Sequence, residues 1–157
     1  MASSGELQLV VFKLNSEEYG VPVQNVQEII RMTEITTIPK TPAHVTGVIN
    51  RRGDIIPIVD LKNFFELGSS ETDEDSRIVV VEVGQEILGV IVDYVSEVLR
   101  LSTEAIEPPP RLSEKPEAAY FTGIGKLDQR LLMLLDLQKI VPDFELDKMP
   151  RNDGKTA

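Results

Sequence analysis

LVVFKLNSEEYGVPVQNVQEIIR, residues Leu9–Arg31, and IVVVEVGQEILGVIVDYVSEVLR, residues Ile78–Arg100, are two versions of one sequence. They align without a gap at an offset of 69, and nine of the 23 pairs are identical, among them Val10/Val79, Gly20/Gly89, Glu28/Glu97 and Arg31/Arg100. The correspondence resumes at an offset of 76, where Gly47–Leu61 (GVINRRGDIIPIVDL) overlies Gly123–Leu137 (GIGKLDQRLLMLLDL). A repeated unit of about 70 residues predicts two similar subdomains packed about a pseudo-two-fold axis. Alone, a unit of that size buries only about 60% of its unfolded surface. The two copies are therefore expected to share a core.

Within each copy the residues read mainly as strands. Leu7–Leu14 and Ile78–Val83 are rich in β-branched residues and end at the turns Asn15–Glu18 and Gly84–Glu86. Short strands follow at Tyr19–Val23 and Ile87–Val92. The apolar spacing then becomes i, i+3 (Val23/Val26, Val92/Val95), which predicts one helical turn before the strands Glu28–Met32 and Glu97–Leu101. Each copy closes with a hairpin. Val45–Ile49 turns at Asn50–Gly53 into Ile55–Val59, with Gly53 suited to the left-handed position of a three- or four-residue loop. The second copy turns at Lys126–Gln129 into Leu131–Leu135. Such short strands with frequent turns indicate small barrels or a sandwich, and closing the sheets would remove apolar edges.

Asp60 and Asp136 each end a strand ahead of a short amphipathic segment, Leu61–Phe65 or Leu137–Val141, and read as helix N-caps. Pro142 is expected to end the second helix. The domain reading is one unit over 7–141, with subdomains over about 7–66 and 77–141, an acidic solvated linker over 67–76, and a disordered tail over 143–157.

The chain has 157 residues and a net charge of −10, from 26 acidic and 16 basic side chains. That balance argues against nucleic acid or an anionic membrane as a direct partner, since phosphate binding needs a cationic footprint. With no cysteine there is no disulfide framework and no thiolate metal site, which fits a reducing compartment. The N-terminus lacks a basic start followed by an apolar run, and the most apolar stretch, Ile78–Val95, is interrupted by Glu82, Glu86 and Asp93. The expectation is a cytoplasmic protein without membrane insertion.

No catalytic set emerges. His44 is the only histidine and lies between prolines, so it reads as a packed or surface imidazole. A proton-sharing dyad of Asp60 and Asp136 is conceivable from the duplication, but the leucine and helix after each favour capping. Gly123-Ile124-Gly125 lacks the following helix of a dinucleotide site. Arg52-Gly53-Asp54 is too short to define an adhesion motif, and Pro108–Pro110 reads as a polyproline II connector. No cofactor is implied. A duplicated β protein of this kind suits a binding module.

Longer motifs carry a family resemblance. Tyr19-Gly20-Val21, Val26-Gln27-Glu28-Ile29, Thr41-Pro42-Ala43, Gly47-Val48-Ile49-Asn50-Arg51-Arg52-Gly53, Ile56–Leu61, Gly89–Asp93, Val95–Leu99 and Tyr120–Gly125 together resemble the CheW family of bacterial chemotaxis coupling proteins. The similarity spans about Leu7–Val141. One departure is Arg51, where the family usually has an apolar residue, and its expected effect is confined to local turn packing.

The resemblance implies an all-β fold of two five-stranded, SH3-like barrels with short helices and a helical C-terminal segment. It also implies a non-catalytic adaptor between the cytoplasmic tips of methyl-accepting chemoreceptors and the regulatory domain of the histidine kinase CheA. Carried over by position, the partner surface comprises Val26, Glu28, Gly47, Asn50, Arg52, Gly53 and Val98. Glu107 and Leu112, in the second subdomain, are expected to make a further contact that closes a ring, which could include neighbouring copies. Within the first of these surfaces Glu28 and Arg52 are the charged members, or else a mutual surface ion pair.

Overall fold

The computed structural model describes residues 5–68, 71–108 and 120–146. The first copy contributes β1 (Glu6–Leu14), β2 (Glu17–Pro22), a 3-10 turn at Val23–Asn25, β3 (Val26–Arg31), β4 (Val45–Arg51), β5 (Asp54–Asp60) and the short helix α1 (Leu61–Phe64). The second contributes β6 (Arg77–Val83), β7 (Glu86–Val92), β8 (Tyr94–Ser102), β9 (Ile106–Glu107), β10 (Phe121–Leu127), β11 (Arg130–Leu135), α2 (Leu137–Ile140) and a 3-10 turn at Val141–Phe144. The fold is all-β with two SH3-like units, as expected.

The duplication is visible in the sheets. One sheet has the order β8-β1-β2-β11-β10-β9 and the other β3-β6-β7-β5-β4. Under the sequence offsets β8 corresponds to β3, β1 to β6, β2 to β7, β11 to β5 and β10 to β4, so five strands follow the same order in both. Even the parallel contacts correspond: Leu134 faces Gly20 in one sheet, and Ile58 faces Gly89 in the other. β9 is an addition beside β10, where the other sheet has, among the described residues, the isolated bridge Thr36–Val48.

This order corrects the expected division at 7–66 and 77–141. Each copy places its first hairpin, β1–β2 or β6–β7, in the sheet completed by the other copy's remaining strands. Equivalent hairpins carry equivalent hydrogen-bonding edges, so local pattern alone could not reveal the exchange.

The exchanged strands are apolar on both faces because both are covered. Along β1, Val10, Phe12 and Leu14 enter a large core shared by the two sheets, while Leu9 and Val11 enter a smaller one with Leu101, Leu132 and Leu134. Along β6, Val79, Val81 and Val83 enter the shared core, while Ile78 and Val80 pack with Ile49, Ile56, Ile58 and Ile91. A strand buried on both sides loses the polar alternation of a half-exposed one. Aromatic rings seal the junction: Tyr19 stacks on Phe12 at 5.9 Å and on Phe65 at 6.2 Å, and Phe65 stacks on Phe121 at 5.9 Å.

Several local expectations need correction. The hairpins have two-residue loops, since Arg51 pairs with Asp54 and Leu127 with Arg130. The second helical turn is missing: Asp93 is a bend, and β8 begins at Tyr94. There Asp93 accepts from the Asn15 backbone N–H at 2.7 Å and meets Lys62 at 3.2 Å, contacts that hold the bend. In the first copy Pro22 ends the ladder and precedes the 3-10 turn. Asp60 caps α1, its carboxylate accepting from Asn63 N–H at 3.2 Å. Asp136 makes no side-chain cap, and only its carbonyl accepts, from Lys139 and Ile140.

The presumed tail starts too early at 143. Pro142 sits at the start of a further helical turn that a proline tolerates, and Phe144 is 1% exposed in the shared core. Burial of such a ring stabilises by roughly 1.5–3 kcal/mol. His44 meets the Phe144 carbonyl at 2.7 Å through Nε2 and packs edge-on against Phe64, as a packed imidazole. The acidic linker is also shorter than expected. Leu67 packs against the shared core and Ser76 is buried, its hydroxyl accepting from Asp73 N–H at 2.9 Å.

Candidate partner-binding face

Glu28 reaches the surface through a bulge. On β3 the register passes from Val26 opposite Val81 to Glu28 opposite Val80, leaving Gln27 as the extra residue. A bulge bends and re-aims the strand, and Gln27 Nε2 is tied to Glu82 Oε1 at 2.8 Å. Ser96 is the corresponding bulge residue on β8, ahead of Glu97.

Across from Glu28 stands the β4–β5 turn. Arg52 and Gly53 both have positive φ, 56° and 89°, the pattern of a type I′ hairpin. Gly53 adopts it freely, whereas an arginine in this region is unfavourable by about 1–2 kcal/mol. Asn50 holds the turn by accepting from Gly53 N–H at 3.0 Å.

Arg51 grips Glu28 with a two-point fork, Nη2 to Oε1 at 2.5 Å and Nε to Oε2 at 3.2 Å. Arg52 stands farther off, its Nη2 3.8 Å from the same Oε1 and its side chain 76% exposed. The hydrogen bond from Arg51 is the main reason the Glu28 carboxyl is held below the ordinary carboxylate range, with partial desolvation opposing it and the charges of Arg51 and Arg52 assisting. The same bond raises the Arg51 guanidinium. Because β3 and β4 are opposite edges of the five-strand sheet, this pair also shows that the sheet curls until its edges meet. Around the pair lies a shallow groove that Ile55 and Ile87 also line. Ile55 is 63% exposed in this groove, so apolar surface borders the charged pair.

Two bulge-positioned glutamates, matching aliphatic positions and one repeated sheet describe a duplicated surface. A family model for the CheW-like domain matches residues 8–145. The chain belongs to the CheW family. Among its relatives, the chemotaxis protein CheW of Klebsiella aerogenes is 38% identical over 139 residues, covering 88% of this chain and 84% of that one. The protein FrzA of Myxococcus xanthus is 30% identical over 138 residues, covering 87% and 86%. The crystal structure of the scaffolding protein TtCheW from Thermoanaerobacter tengcongensis superposes with a TM-score of 0.78 at 38% identity, covering 86% of this chain and 87% of that one.

The residues carried over from the CheW resemblance do not form one patch. Glu28, Asn50, Arg52 and Gly53 cluster at the β4–β5 turn, and Val26 lies on β3, half-buried against the shared core. Gly47 is not on the surface. It is buried, and a Cβ there would stand 2.1 Å from the Thr36 carbonyl oxygen, so its role is to let the chain cross. Gly123 repeats the device beneath the Glu107 carbonyl, at 2.6 Å.

Val98 belongs to the other sheet, on β8, at the position equivalent to Ile29. Leu131, the equivalent of Ile55, is on β11 of the same sheet, and the two are 51% and 59% exposed. Glu107, on β9, is exposed and pairs with Lys126 at 2.9 Å. Leu112 lies outside the described residues.

Two arginines carry more of the surface than their sequence context indicates. Arg51 was assigned to turn packing, yet it is the principal partner of Glu28. Arg130 bonds Glu97 at 2.8 Å and Glu18 through two bonds of 2.9 Å. The available signal was the alternation of a hairpin: a cation at its tip faces the glutamate that the duplication marks twice.

Among the described residues no cluster of acidic or histidine side chains could hold a metal, and no helix is long and apolar enough to cross a membrane. Asp60 is buried and occupied as a cap, while Asp136 is half-buried.

Proposed function

We propose that this chain is a non-catalytic cytoplasmic adaptor that couples the cytoplasmic tips of methyl-accepting chemoreceptors to the regulatory domain of a CheA-type histidine kinase. The β4–β5 face, with Glu28, Asn50, Arg52 and Gly53, holds the kinase domain. The second sheet, through Val98 and the segment from Glu107 to Leu112, makes the other contact, so that adaptors and kinases alternate in a ring associated with the receptor array. The observation that carries this reading is the repetition of one exposed aliphatic and charged face on two sheets. A single molecule with two such faces can touch two neighbours, and weak contacts then gain from the high effective concentration of an array.

The test mixes the purified chain with receptor and kinase. Kinase output rises when all three are present, while the chain alone neither hydrolyses nor phosphorylates. Intrinsic turnover that disappears in Asp60→Asn would overturn the adaptor reading.

A further inference from the structure

We propose that Arg51 sets the partner specificity of the β4–β5 face by sequestering Glu28, so that the face presents Arg52 as its free charge and fits a partner surface bearing a carboxylate. The inference rests on the adaptor reading and names the chemistry of its kinase-side contact.

Glu28 has two candidate cations. Arg51 satisfies both carboxylate oxygens with the planar fork that makes arginine–carboxylate pairs strong and directional, and its own side chain is 34% exposed. Arg52 is left 3.8 Å from one oxygen that is already bonded at 2.5 Å, with most of its guanidinium in water. No other carboxylate pairs with Arg52 among the described residues: Asp54, across the two-residue turn, is in no ion pair. Arg52 is therefore the cation with unused donors. Its groove neighbour Ile55 supplies the apolar border that excludes water from a docked pair.

An apolar residue at position 51 would leave Glu28 with Arg52 as its remaining partner. The glutamate would then neutralise the charge meant for the partner. The identity of residue 51 thus acts as a switch between an exposed cation and an internal ion pair, without altering the partner-contacting residue itself.

The experiment is calorimetric titration of the full chain with the isolated regulatory domain of the CheA-type kinase from the same organism, at two salt concentrations. Arg52→Gln is expected to weaken binding by roughly tenfold or more. Glu28→Gln frees Arg51 as a second cation, so it tightens binding several-fold and steepens the salt dependence. Arg51→Leu weakens binding by roughly tenfold, and adding Glu28→Gln to it restores most of the loss. Thermal melts confirm folding, and Arg51→Gln replaces Arg51→Leu if the leucine variant does not fold. The inference is overturned if Glu28→Gln weakens binding as much as Arg52→Gln, or if the double variant stays as weak as Arg51→Leu. Failure of the unsubstituted chain to bind the domain removes the adaptor reading itself, and the inference with it.

Discussion

Arg130 clamps Glu18 across a separation of 112 residues, through two hydrogen bonds of 2.9 Å each. Glu18 lies on β2, one of the strands exchanged between copies, and Arg130 opens β11 beside it. The pair fastens the first copy's hairpin to the second copy's sheet, with Glu97 on β8 as a third member at 2.8 Å. The hydrogen bond from Arg130 is the largest cause of a lowered Glu18 pKa, opposed by partial desolvation and helped by the charges of Arg130 and Lys13.

Arg130→Met is therefore expected to lower the melting midpoint by a few degrees and to flatten the acid limb of stability. A carboxyl whose folded pKa lies below its unfolded value contributes stability above the unfolded pKa and loses it as pH falls through the folded one. Urea titrations from neutral pH down to about 3 should show a smaller stability loss in the variant. An unchanged acid limb would mean that Glu18 is not linked to folding through Arg130.

Gly47 and Gly53 separate packing from turn geometry. Gly47→Ala places a methyl group 2.1 Å from the Thr36 carbonyl oxygen, backbone that cannot move aside without disturbing the strand. The expected loss is roughly 2–4 kcal/mol. At Gly53 nothing lies within 4 Å of an added Cβ, and only φ of 89° opposes it, so Gly53→Ala should cost about 1–2 kcal/mol. Chemical denaturation measures both. A Gly47→Ala chain of normal stability that had lost kinase binding would return Gly47 to the contact surface.

Arg52→Asp and Val92→Ala divide surface from core in the same way. Arg52 is exposed at a turn tip, so its replacement should change stability by no more than about 0.5 kcal/mol while strongly weakening kinase-domain binding. Val92 is fully buried in the shared core, and its truncation should cost roughly 1–3 kcal/mol through lost burial and a residual cavity. Unfolding of Arg52→Asp would make that residue structural.

The elements were legible because their patterns are local. Polar turns punctuate the chain, and β1 and β6 announce themselves as continuous β-branched runs. Neighbour identity was not legible. The two copies offer the same apolar spacing to the same kind of edge, so nothing along the chain distinguishes β1–β2 joining β3–β5 from β1–β2 joining β8–β11. Asp60 and Asp136 likewise share their context of strand, aspartate and leucine, yet only Asp60 turns its carboxylate onto the helix. Phe144 was hidden behind Pro142 because proline reads as a stop, although at the start of a helical turn its missing N–H costs nothing. The site followed the same division. The resemblance marks Glu28 and Arg52 by position, whereas the choice of Arg51 over Arg52 as the partner of Glu28 depends on how the curled sheet brings β3 to the β4–β5 turn.

The exchange of hairpins makes a prediction about the halves themselves. A fragment over 1–68 contains β3, β4 and β5, but β6 and β7, which fill the gap between β3 and β5, lie in the other half. Its own β1–β2 hairpin has the right edges and could fill that gap only by folding back in place of β6–β7. The shared core would then be divided, because Val10, Phe12 and Leu14 of one copy and Val79, Val81 and Val90 of the other belong to a single cluster. Neither 1–68 nor 71–157 should therefore show a cooperative unfolding transition alone, whereas an equimolar mixture should recover one together with the native near-ultraviolet signal of the tyrosines. A fragment over 1–68 that unfolds cooperatively by itself, with the stability of a closed domain, would show that the copies are self-sufficient units and that the exchange is not what holds them together.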